Sequence, residues 1–270
     1  MPTTIAKLVG VWIACILLAP PVVAANEELE DLAARLQFAF YAGDTRALQR
    51  DLRALQQLAV AESLLAMRQY HASYGHFKLA ELLREQDRSN ARKSASQCSE
   101  IAGDTAGIEA KRGTSAQERK RVEQLQAEFW ALQAACSALE AELSLRPGST
   151  SVSLASFRSD KAGAKALAIA PDNPRVKLLA ATQEVRRAES ADERRTASDK
   201  LQAVVAAFDT APPAADGMPD WGQAEALAWL GEAQLHRGDK MAARNSLERA
   251  LVLAPDYARA RTLLKQSSGK

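Results

Sequence analysis

Two histidines five residues apart, His71 and His76, lie among Tyr70, Tyr74 and Phe77, where ring nitrogens and phenols could meet a metal or a substrate. On a helix, five residues turn the second side chain about 140° from the first, a poor placement for two ligands of one ion. Both histidines therefore read as packing or surface residues. His236 stands alone near the end of a helical segment, where the helix dipole favours a positive charge. Glu225 and Glu232 are spaced as ordinary solvated helix residues, and nothing local brings a second carboxylate across a cleft from either. The chain has no H-E-x-x-H pair, nucleophile elbow or phosphate-cradling glycine loop. The expectation is of no catalytic residue, no metal and no cofactor.

The N-terminus bears on where the protein works. Lys7 precedes the apolar run Leu8–Ala19, then Pro20 and Pro21, and Val23, Ala24 and Ala25 form a small-residue cleavage pattern. Residues 1–25 thus read as a secretory leader, too short in its apolar core for the roughly twenty residues of a membrane span. Cys15 lacks a leucine-led lipobox before it, and the apolar run continues past it. Export is expected, with the periplasm as destination and full secretion as the alternative. Cys98 and Cys136 then remain as the two cysteines of an exported chain, and they form one disulfide or stay as two buried thiols. The formal net charge is only +2, and acids and bases interleave along segments such as Glu118–Glu123. This argues against a nucleic-acid partner, which needs basic residues clustered on one face. No second long apolar stretch follows the leader, so no membrane span is expected after its removal.

The elements that carry these residues read as helices throughout. Residues 26–146 contain no proline and are rich in Ala, Leu, Gln, Glu and Arg, all strong helix formers. Leu29, Leu32, Leu36 and Phe40 mark one helix, Gly43-Asp44 a break, and Leu48, Leu52 and Leu55 the next helix. Met67 to about Glu85 form a third, and a weaker helix covers Asn90–Ala102 until Gly103 and Gly107 loosen it. Ser115-Ala116-Gln117-Glu118 is a capping box that opens the longest helix. Its apolar positions, Val122, Leu125, Phe129, Leu132, Cys136, Leu139 and Leu143, follow a heptad pattern, which serves either packing within the chain or a homo-oligomeric seam. Residues 147–157, rich in serine after Pro147-Gly148, read as a linker to a second helical region, 158–270.

That second region repeats. Lys165–Asp172 (KALAIAPD) matches Arg249–Asp256 (RALVLAPD) almost position for position. Within 224–257, Leu227, Leu230, Gly231, Ala243, Leu247, Ala250 and Pro255 alternate large, small and helix-ending residues, and Gly238-Asp239 supplies the turn between two helices. This pattern resembles the tetratricopeptide repeat family, and with PDNPRV at 171–176 and DWGQAEALAWLG at 220–231 it is similar to exported bacterial members of undefined role. The resemblance implies an all-α fold of antiparallel helix pairs stacked as a short right-handed solenoid. The N-terminal region 26–146 would be diverged repeats or a helical cap, and 257–265 a terminal capping helix. Gln234, usually aromatic in the family, and the insertion at 210–219 depart from the pattern.

By that resemblance the first helix of each unit lines a concave groove. Glu225, Ala228, Glu232, Leu235 and His236 would there meet a protein or peptide partner, if they are more than exposed helix residues. The expected function is a non-catalytic interaction or scaffolding module of the cell envelope. Two alternatives stand beside it. One is an envelope enzyme, or a subunit of one, with a site between the two halves near Tyr70–Phe77; the other is a homo-oligomeric scaffold joined through the Val122–Leu143 seam.

Overall fold

A computed structural model describes residues 22–268 except 110–114, 145, 147 and 216. Most of the expected leader, residues 1–21, lies outside the described residues. Those described form α1 (Val22–Ala42), α2 (Thr45–Gln57), α3 (Leu65–Leu83), α4 (Arg88–Glu109), α5 (Ala116–Glu142), α6 (Thr150–Ile169), α7 (Pro174–Arg187), α8 (Ala191–Thr210), α9 (Gln223–His236), α10 (Lys240–Leu253) and α11 (Ala258–Ser268). A single 3-10 turn, Glu62–Leu64, precedes α3, and no strand occurs among the described residues. The fold is all-α, built of helices packed in pairs.

Local chemistry starts several of these helices. The Asp44 side chain accepts from the amides of Arg46 and Ala47, and Asn173 does the same for Arg175 and Val176, with Pro174 in the first turn. Ser115 with Glu118, and Ser190 with Glu193, close complete capping boxes at α5 and α8. Gly238 takes a left-handed φ of 80° in the turn before α10, and Asp239 then caps that helix through the Ala242 amide.

Two elements differ from the sequence expectation. Residues expected to be a serine-rich linker are, from Thr150 onward, the opening turns of α6. Ala155, Ser159, Ala162 and Ala166 make a buried stripe of small side chains at helical spacing, which lets α6 lie close along α5. Likewise α4 does not end near Ala102 but continues to Glu109. Its buried face runs through Ala91, Ala95, Cys98, Ala102 and Ala106, and Gly103 lies under Gln133 of α5. A Cβ at Gly103 would come within 2.0 Å of Gln133 Nε2. The glycine permits contact there; it does not break the helix.

The helices form two layers. Each odd-numbered helix touches the next odd-numbered one, from α1 through α3, α5, α7 and α9 to α11, and α11 in turn touches α1. The inner row therefore closes on itself. At the closure the rings of Phe40 and Tyr41 lie 5.8 and 4.8 Å from the ring of Tyr257. The even-numbered helices pack outside this row as partners of their neighbours. All the heptad positions of α5 from Leu125 to Leu143 are buried within this one chain, so the expected seam is spent on α5's neighbours and is not open to a second copy.

The repeat seen in the sequence is a repeat of backbone geometry. Ala170 and Ala254 end α6 and α10 with the same φ of −136° and ψ of 70° and 84°. Each donates its amide to the residue four earlier, and each accepts the amide three residues later. Leu227, Leu230, Gly231, Ala243, Leu247 and Ala250 are all buried, and a Cβ at Gly231 would come within 2.6 Å of Leu247 Cγ. The α9–α10 pair thus depends on the absence of a side chain at 231.

The Cys98 and Cys136 sulfurs are bonded, joining α4 to α5 across a sequence separation of 38. Closing a loop of that size restricts the unfolded chain. The Cys98→Ser, Cys136→Ser double variant is expected to lose about 2–4 kcal/mol in urea unfolding with unchanged far-ultraviolet helicity. Equal stability of the wild type with and without reductant would contradict this.

Candidate functional site

The inner helices converge on a buried ionic and aromatic network. Lys78 of α3 is 1 % exposed, and its Nζ lies over the rings of Phe40, Phe77, Trp221 and Tyr74 at 4.5, 4.5, 5.2 and 5.4 Å. The ammonium donates to Glu81 Oε2 at 3.0 Å and to Glu225 Oε2 of α9, while the Tyr74 hydroxyl donates to Glu225 Oε1 at 3.4 Å. One cation therefore ties α3 to α9, which lie on opposite sides of the Ser-rich segment in sequence.

A second cluster lies between the middle of α5 and the N-terminal parts of α3, α7 and α9. Glu128 Oε1 accepts from Arg175 Nε and Nη2 at 2.9 and 2.8 Å and from Asn173 Nδ2 at 2.9 Å. Its Oε2 accepts from the Tyr70 hydroxyl at 2.6 Å, and that hydroxyl accepts from Trp221 Nε1 at 2.8 Å. A third cluster lies toward the C-terminal ends of α3, α7 and α9. Arg186 donates to Glu81 Oε1 at 2.6 Å, Arg84 pairs with Glu142 at 2.7 Å, and Arg259 pairs with Glu232. The guanidinium carbons of Arg259 and Arg186 lie 3.7 and 5.2 Å from the ring centre of Trp229.

The electrostatics follow from burial and from the count of partners. Burial pushes Glu225 above the usual carboxylate range, and its one cation, Lys78, does not fully offset this, with Glu81 adding repulsion. Burial also opposes ionised Glu81, but Lys78, Arg186 and Arg259 together outweigh it and hold that carboxyl low. Burial raises the Tyr70, Tyr74 and Tyr257 phenols well above 10, so they remain donors at neutral pH. Burial lowers His71 and His76 to about 4. Most of the Tyr70–Phe77 stretch, an alternative enzyme site by sequence, is buried, and the Tyr70 and Tyr74 phenols bond carboxylates across the helices, while half-buried His71 lines a cavity of about 670 Å³ with Tyr74 and Trp221. No group of three or more His, Cys, Asp or Glu among the described residues could hold a metal ion, and no described helix is long and apolar enough to cross a membrane.

Of the groove residues expected on α9, Glu225 and Ala228 are buried, so they cannot line an open groove; α3 occupies that space. Glu232, half-buried, and His236, exposed, line a cavity of about 570 Å³ with Arg84, Arg186, Arg194 and Trp229. Leu235 is half-buried against the core. An adjoining cavity of about 300 Å³ shares Arg84, Arg186, Trp229, Glu232 and Arg259 with the first. At the opposite ends of the inner helices, cavities of about 1140 and 670 Å³ meet at Gln37, Asp220 and Trp221. Sequence reading passed over Lys78, Trp229, Arg186 and Arg259. For Arg259 a signal existed, since Arg175 and Arg259 each follow their Ala-Pro-Asp proline by four residues and each engages a glutamate, Glu128 or Glu232, on an earlier inner helix.

Two outcomes test these electrostatics. Lys78→Met leaves Glu225 buried without its cation and is expected to cost about 3–5 kcal/mol in chemical denaturation. Adding Glu225→Gln should recover most of the loss, and additive effects in the double variant would show the two are not coupled. For His76, the unfolded side chain takes up a proton near pH 6.5 and the folded one only near 4. Stability therefore falls as pH drops through that window. His76→Gln should reduce the fall in Tm between pH 7 and pH 4.5, and an unchanged difference would exclude His76 as a source.

No family model matches the chain, and no curated protein matches it in sequence. Among solved structures it is similar to the Assembly Chaperone of RpL4 (Acl4), residues 1–338. The two share 13% identity at a TM-score of 0.40, over 89% of this chain and 95% of that one.

Proposed function

We propose that this chain is an exported, non-catalytic binding protein that holds a peptide or protein segment in the cleft between α7, α8, α9 and α11. The observation that carries the reading is the 570 Å³ cavity. Trp229, Val185, Ala197 and Ala233 give it apolar walls, and Arg84, Arg186, Arg194 and Arg259 surround the single carboxylate of Glu232. Apolar walls with a few convergent charges suit a chain segment whose backbone and acidic groups need partners. The cations outnumber the carboxylates lining this cavity, which favours an acidic segment. Helix pairs of tetratricopeptide type present their first helices to partners by resemblance. Here the inner face is filled along much of its length, and one end of the inner helices takes over that role.

The leader-like residues 1–25 support export, and the Cys98–Cys136 bond supports an oxidising compartment, the periplasm for a bacterial protein. The test is a photo-crosslinking amino acid at His236, on the exposed rim, with captured partners identified by mass spectrometry from intact cells. Arg194→Glu is expected to reduce capture of a reproducible partner by about tenfold, as loss and reversal of a rim cation would. Lys120→Glu, at the opposite end of the inner helices, should leave capture intact. Capture that ignores Arg194→Glu, or falls equally with Lys120→Glu, would remove the cleft from the partner's path.

A further inference from the structure

The smaller cavity, about 300 Å³, contains a feature that the ionic network does not explain. Tyr257 lines it, and the Tyr257 hydroxyl, fully buried, has no hydrogen-bond partner among the described residues. Arg186 lines it too, and although its Nη2 binds Glu81, its buried Nε–H also lacks a partner among them. A buried donor left unmatched is costly, so two in one small cavity are an arrangement that a ligand would repay. The first turn of α11, at Ala258 and Arg259, forms another part of the same wall. There the positive end of a helix dipole faces the cavity. The charges lining it are balanced, Arg84, Arg186 and Arg259 against Glu81, Glu85 and Glu232, and Glu81 and Glu232 accept from Arg186 and Arg259.

The ligand chemistry follows from these counts. Two unmatched N–H and O–H donors ask for two acceptor oxygens. A balanced surround that includes Glu81 and Glu232 admits one extra negative charge more readily than two, which sets a carboxylate ahead of a phosphate monoester. Its remaining atoms would extend past Trp229 into the adjoining 570 Å³ cavity, whose lining the smaller one shares.

We propose that the cavity between α3, α7, α9 and the first turn of α11 is a carboxylate-binding site, in which Tyr257 Oη and Arg186 Nε each donate to one carboxylate oxygen. This deepens the binding function proposed above and rests on it for the larger part of the ligand. The carboxylate comes from a free small acid or from an acidic peptide, and the test separates these.

The mature chain is titrated calorimetrically with glutarate and, separately, with a short acetylated and amidated peptide of alternating glutamate and alanine. The expected result is binding of at least one probe, weakened about tenfold in Tyr257→Phe, as loss of one hydrogen bond to a charged group implies. Arg186→Lys, which keeps the charge but loses the Nε–H, should weaken it similarly. Tyr257→Phe retains the ring against Phe40 and Tyr41, and an unchanged Tm would show that the variant is folded. Binding of glutarate identifies a small acid as sufficient; binding of the peptide alone identifies a chain segment. No binding of either probe to the wild type, or equal affinity in Tyr257→Phe, overturns the site. Crosslinking through His236 that still responds to Arg194→Glu would in that case leave the broader binding function in place.

Discussion

One ammonium group holds the inner row together. Lys78 is buried in the midst of aromatic rings, and in such a place an unpaired charge would be expelled or neutralised. Two carboxylates from different helices face it there, Glu81 on its own helix and Glu225 on α9. The constraint is mutual: Glu225 can be buried only where Lys78 reaches it. Since a buried ion pair contributes little net stability compared with apolar residues, its main effect is on specificity. It favours the arrangement of α3 against α9 in which the ammonium reaches both carboxylates, and the Tyr70–Glu128–Arg175 cluster does the same for α3, α5 and α7.

That selection changes what the helix-pair architecture can offer a partner. In an open stack of pairs the inner helices would expose their faces along a continuous groove. Here the inner faces meet one another, and Trp221, Tyr70 and Tyr74 fill the axis with rings whose polar atoms are bonded. What remains accessible lies at the two ends of the inner helices, where Trp229 with its flanking arginines borders one pair of cavities and Asp220 borders the other. Charges too numerous to sit in an apolar core are tolerated because each has a partner across the axis.

Much of the secondary structure was legible because its causes are local. Asp44, Ser115, Asn173, Ser190 and Asp239 cap their helices with their own side chains, and the Ala-Pro-Asp repeats end theirs in the same way twice. The serine-rich stretch before Phe157 misled because its helical conformation comes from close packing on α5 through Ala155, Ser159 and Ala162. Composition does not report such packing. Gly103 misled for the related reason that its missing side chain serves a neighbour. The fate of Glu225 was not legible at all. A glutamate at helical spacing looks solvated until the lysine that buries it, 147 residues earlier, is folded against it. Glu232 and His236 remain at a cleft because they lie about two and three turns farther along α9, past the point where Lys78 of α3 covers it.

The contact between α1 and α11 constrains the number of helix pairs between them. An open array of helix pairs can gain or lose a unit by duplication or deletion, because each unit answers only to its immediate neighbours. A row whose first and last members touch has no such freedom. One more pair would push Tyr257 away from Phe40 and Tyr41, and one fewer would leave Lys78 and Glu225 out of register. Between α1 and α11 the chain can therefore diverge by substitution and by changes in its outer loops more readily than by gaining or losing a helix pair, just as a closed barrel holds its strand number.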